Sequence, residues 1–103
     1  MEYINLTPHT IVLNDGRAFA PSDKIARVTA TYTPIVDDVC CQQFGDVTNL
    51  PNPVDGVTYI VSAMVLSAVN GRGDVVAPAT GHPETVRNDK GHIVSVPCFV
   101  SAA

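Results

Sequence analysis

Apolar residues are densest across residues 57–81, and the hydrophobic period changes inside that stretch. Residues 57–61 (VTYIV) form a nearly continuous apolar run with β-branched members, bounded by Asp55-Gly56, which predicts a strand buried on both faces. Ser62 then opens a helical pattern. Its hydroxyl can accept a bond from a backbone N–H two or three residues on, and residues 63–69 give about two turns before Asn70-Gly71 end them. Residues 74–77 predict a second short strand, ended by Pro78. The span 62–73 between the two strands is just long enough for a parallel crossover, which would be right-handed.

The flanking pattern is β-like. Residues 3–6 alternate as a short strand, Pro8 interrupts it because it has no N–H for a ladder, and residues 11–13 resume it. Asn14-Asp15-Gly16 predicts a hairpin turn, with residues 17–20 as the return strand. In residues 25–33, Ala26, Val28, Ala30 and Tyr32 alternate with Arg27, Thr29, Thr31 and Thr33, as in a strand with one wet side. Residues 35–47 show no clean period. The prolines at 51 and 53 with Gly56 make a stiff loop into the central strand. Residues 84–87 and 92–100 predict a hairpin over Asn88-Asp89-Lys90-Gly91, with Val94, Val96, Cys98 and Val100 on one face and Pro97 at an edge. The expected fold is therefore α+β: a mostly β single domain spanning 1–103, with one short helix in a βαβ-like crossover and a C-terminal hairpin.

Composition narrows the function classes. A chain of 103 residues with 46% hydrophobic positions has the material for one core. Six basic residues against a net charge of -4 argue against a surface that tracks DNA, which needs clustered Lys and Arg to displace counterions. The most apolar run is far shorter than the roughly twenty residues of a membrane helix, so no membrane partner is expected. Met1-Glu2-Tyr3 lacks a basic, apolar leader, and three cysteines make no disulfide framework; both point to the cytoplasm.

The best candidate site is the end of the crossover. In sheets with parallel strands, ligands sit outside the carboxyl ends of the strands, here Ser62-Ala63 and the loop through Thr80, Gly81 and His82. Free N–H groups at a helix start suit phosphate or carboxylate, and Thr80 and Gly81 would complete a small anion cradle. The plainer reading is that Ser62 only caps a helix. Arg72 and Arg87 are the candidate phosphate contacts, because a guanidinium can pair two oxygens at once; surface ion pairs are the plainer alternative. Asn5, Thr7 and His9 would touch a sugar or base if the N-terminal strand lies beside the crossover. Arg72-Gly73-Asp74 spells an integrin-binding tripeptide, but a three-residue match arises by chance. His9, His82, His92, Cys40, Cys41 and Cys98 do not have zinc-site spacing, and the thiols read as small core residues. Asp37-Asp38 reads as a solvated turn. No metal or cofactor is expected, and no base and nucleophile pair can be selected for catalysis.

The segments INLTPHTIVL (4–13), NLPNPVDGVTYIVSAMVLSAV (49–69), RGDVVAPATG (72–81) and VRNDKGHIVSVPCF (86–99) together resemble a family of small proteins encoded by phages and prophages. The resemblance covers most of the chain and implies genomic context more than an activity. By analogy with phage proteins that sequester immune signals, it implies counter-defence in the cytoplasm of an infected bacterium. The expected partner is a small phosphate-bearing nucleotide, of cyclic ADP-ribose type or a cyclic oligonucleotide. So small a chain would bury such a ligand at a homo-oligomer seam. The alternative is a structural accessory of the virion or a protein that binds and inhibits a host protein directly, which would show an exposed apolar patch or edge strand.

Overall fold

The computed structural model describes residues 2–69 and 72–101. In chain order its elements are β1 (Glu2–Asn5), β2 (Ile11–Val12), β3 (Ala18–Phe19), β4 (Arg27–Tyr32), β5 (Gln42–Thr48), β6 (Val57–Ile60), α1 (Ala63–Ala68), β7 (Val75–Pro78), β8 (Val86–Arg87), β9 (Ile93–Ser95) and β10 (Phe99–Ser101). The chain is thus mostly strand with one short helix. A four-stranded sheet runs in the order β1-β6-β7-β10. β6 is parallel to β1, with Tyr3 opposite Thr58, and parallel to β7, with Ile60 opposite Val76. β10 closes the sheet antiparallel to β7.

β6 is buried on both faces, as its unbroken apolar run requires: Tyr59, Ile60 and Val61 are at most 2% exposed. Successive side chains of a strand point to opposite faces. Tyr59 and Val61 pack with Leu6, Ala26, Val65 and Val75 on the helix side. Ile60 packs with Ile11, Leu13 and Val96 on the other. Each cluster is small, so the sheet is the middle layer that both covers share.

Ser62 begins the helix through its side chain: with φ -69° and ψ 160° it stands outside the helix, and its Oγ accepts from the Val65 N–H at 3.3 Å. Val65 is the buried residue of α1, and Val69 caps the far end. The expected stop at Asn70-Gly71 lies outside the described residues.

Two expectations need correction. Residues 25–33 do not bury Ala26, Val28, Ala30 and Tyr32 as one face. Ala26 is buried and Val28 half-buried, but Ala30 and Tyr32 are exposed. The reason is that among the described residues β4 pairs with β5 alone, which was not legible as a strand, and the two form an antiparallel arm that α1 contacts. Asp37 and Asp38 turn the arm at φ 52° and 66°, and Val36 and Val39 exchange both backbone hydrogen bonds across them, at 2.8 and 3.0 Å. Positive φ at both central residues gives the twist a two-residue hairpin needs, and Asp tolerates it better than most residues. The second correction concerns residues 92–100, which are two strands and not one. β9 pairs with β8, then the chain breaks at Pro97-Cys98 and β10 joins the central sheet.

Candidate functional site

The carboxyl ends of β1, β6 and β7 open into one cleft of about 480 Å³. One wall is the 7–10 loop after β1, Ser62-Ala63 after β6, and Pro78 with Thr80 at the end of β7. The facing wall comes from residues 11–12 and 93–96.

The 7–10 loop owes its shape to Asn5. That side chain is 2% exposed and uses its whole hydrogen-bonding capacity. Its Nδ2 donates to the His9 carbonyl at 2.8 Å and the Phe19 carbonyl at 2.9 Å, while Oδ1 accepts from the Thr7 N–H at 2.9 Å and the Thr7 hydroxyl at 2.6 Å. Pro8 can sit between these residues because the side chain of Asn5 supplies the bonds a ladder would have made. Asn5 is therefore spent inside the protein and shapes the cleft without facing it. Thr7 and His9 line it.

Of the remaining candidates, Ser62, Ala63 and Thr80 also line the cleft. Among the described residues the hydroxyls of Thr10 and Thr80 have no protein partner, and Ser62 keeps its O–H free to donate because its oxygen accepts from Val65. Gly81 and His82 fall beyond the lining. His82 Nδ1 accepts from the Glu84 N–H at 3.0 Å, and the His82 N–H donates to the Ala79 carbonyl at 3.1 Å, so they shape the loop.

The two arginines separate. Arg72 lies at the amino end of β7, away from the cleft, where Nε and Nη2 hold the Asp74 carboxylate at 3.0 and 2.6 Å and Nη2 also donates to the Pro51 carbonyl at 3.0 Å. Those bonds hold the Asp74 carboxyl below its ordinary range against the opposing effect of burial, and the same pairing raises Arg72. Arg72 and Asp74 satisfy each other, so the tripeptide they frame has its charges turned inward on itself. Arg87 lies beside the cleft: its guanidinium donates to the Thr80 carbonyl at 3.2 Å and the Gly91 carbonyl at 3.1 Å, with no carboxylate partner among the described residues.

The anion cradle expected at the strand ends has no Lys or Arg side chain in its lining: among the described residues no Lys, Arg, Asp or Glu lines the cleft, and His9 is the titratable side chain that does. The walls are largely aliphatic, and the polar side chains other than His9 are hydroxyls. The thiols also depart from expectation: Cys40, Cys41 and Cys98 are all exposed, because two of them ride on the arm. No group of three or more His, Cys, Asp or Glu among the described residues is placed to hold a metal ion.

What the sequence reading missed is the facing wall. Ile11, Ile93, Val94 and Val96 had the signature of ordinary strand residues, and nothing distinguishes an apolar residue that lines a cleft from one that fills a core. No known protein family, curated protein or solved structure matches the chain. No helix among the described residues is long and apolar enough to cross a membrane.

Proposed function

We propose that this chain is a non-catalytic binding protein that holds a small nucleotide-derived molecule in the strand-end cleft and so withdraws it from solution. The observation that carries this reading is convergence: Thr7, His9, Ser62, Ala63 and Thr80 come from three separate stretches and meet around one cavity. The parallel pairing of β6 and β7, with α1 between them in the chain, supports reading them as a crossover unit, the arrangement whose exit favours ligands. About 480 Å³ lies in the range of small-molecule sites. The lining dictates orientation. A base or ribose ring meets Ile11, Ile93 and Val94, the hydroxyls of Thr10, Ser62 and Thr80 meet its polar edges, and phosphate stays at the mouth towards Arg87. The resemblance to small phage proteins supplies the role, counter-defence in the cytoplasm of an infected cell. Calorimetry with cyclic ADP-ribose isomers and cyclic oligonucleotides tests it, with Thr80→Val as the weakened control; no heat from any of them well above micromolar concentration refutes it.

A second reading, a protein that binds another protein, is favoured by a different observation, the bare apolar arm. Tyr32, Ile35, Val36 and Val39 are 65–75% exposed around one turn.

A further inference from the structure

The arm and the cleft are complementary. Its tip is a preformed knob: the reciprocal Val36 and Val39 bonds fix the turn, and Ile35 and Val36 stand 75% and 66% exposed beside it. Water-facing aliphatic groups in one rigid cluster mark a contact surface. The cleft is the matching hollow, since Ile93 and Val94 on its wall are themselves 42% and 52% exposed. A cavity of roughly 150 Å³ holds a benzene ring, so this one has room for two branched side chains.

Charge decides between the available partners for the knob. Asp37 and Asp38 at the tip have no cation partner among the described residues. Two tips packed on each other would gather four carboxylates, and like charges brought together across an interface oppose it. The cleft presents no acid, and the guanidinium of Arg87 stands against Thr80 without a carboxylate.

We propose that the arm tip of one copy seats in the cleft of a second, with Ile35 and Val36 against Ile93 and Val94 and the tip carboxylates towards Arg87. Reciprocal insertion closes two copies into a dimer. Each copy thereby covers the other's exposed aliphatic groups. Docking and a nucleotide would share the wall at Ile93 and Val94, so the two exclude each other in any one cleft, but docking needs no small molecule and is tested without one.

Sedimentation velocity across the micromolar range, with no nucleotide added, is the test. Wild type is expected to dimerise, whereas Ile35→Asp on the arm and Val94→Asp in the cleft each stay monomeric; both sites are exposed, and circular dichroism checks that the fold is kept. Mixing the two variants restores a dimer, since the intact arm of one meets the intact cleft of the other. A monomeric wild type overturns the proposal. So does an Ile35→Asp protein that still dimerises, or a Val94→Asp protein that does, which would mean that arms meet arms or that the contact lies elsewhere. A mixture that remains monomeric overturns it as well. Calorimetry on the monomeric Ile35→Asp protein separates the two ideas, because nucleotide binding there survives the failure of docking and docking survives the failure of nucleotide binding.

Discussion

Removing the side chain of Asn5 tests the account of the cleft at its root. Asn5→Ala deletes four hydrogen bonds at 2.6–2.9 Å. A buried hydrogen bond contributes about 1 kcal/mol net, and an orphaned buried group costs about 1–3 kcal/mol. The His9 carbonyl sits at an exposed residue and can turn to water, but the Thr7 N–H, on a residue 6% exposed, cannot do so easily. The expected loss is about 2–4 kcal/mol, a large share of a typical total of about 5–15 kcal/mol. Thr7→Val costs about 1 kcal/mol, and the double variant costs less than the sum by about 1 kcal/mol, because the two residues share a bond. Urea unfolding gives these values from the midpoint at constant slope. Hydrogen exchange adds a positional control. In Asn5→Ala the Thr7 amide loses protection, while the Ser22 amide, bonded at 2.8 Å to the backbone carbonyl of residue 5, retains it. Strict additivity of the two substitutions, or a Thr7 amide that exchanges as slowly as before, refutes the idea that Asn5 shapes the loop.

Asp74 ionises more readily in the folded chain than in the unfolded one, so its contribution is present above the ordinary carboxylate value near 3.9 and is lost as pH falls through its lowered folded value. Asp74→Asn is accordingly less stable than wild type by about 1 kcal/mol at neutral pH, and thermal melts should show the gap closing towards pH 3; a gap independent of pH is the contrary result. Ser62→Ala removes the cap on Val65 and costs about 1 kcal/mol in urea unfolding, while a variant as stable as wild type would show that α1 is held by Val65 packing alone.

The central strands and the helix start were legible because each had a local cause. The unbroken run at 57–61 could only be satisfied with cover on both faces, and Ser62 before an apolar helical pattern has one common use. The convergence of Ser62 and Thr80 on one cleft was legible for a similar reason, because the strand-end rule turns chain order into position. Charge was not. Arg72 and Arg87 look alike in the sequence, yet Arg72 is consumed by an acid two residues away and Arg87 is not. The Arg-x-Asp spacing was the signal for that pairing, and it favoured the ion-pair alternative weighed for Arg72. The arm was misread for a deeper reason. Alternation at Ala26, Val28, Ala30 and Tyr32 reports that one face is apolar, but not that a body exists to cover it.

That bare face bears on what the molecule is for. A domain of this length has an expected radius of gyration of about 13 Å, whereas the chain measures 15.2 Å. The arm is part of that excess, and an isolated two-stranded ribbon is marginal in water. Its base gains support from α1, where Val28 and Val47 pack against the helix-side cluster, whereas Tyr32, Ile35, Val36 and Val39 remain 65–75% exposed. A turn held by two reciprocal bonds keeps these four large apolar groups in water. The cleft in turn exposes Ile93 and Val94 on its wall beside the hydroxyls of Thr10 and Thr80. The contact between copies proposed above would cover both surfaces, whereas a ligand in the cleft would cover only the second. Self-docking would thus account for the arm and the cleft together with no component beyond the chain itself.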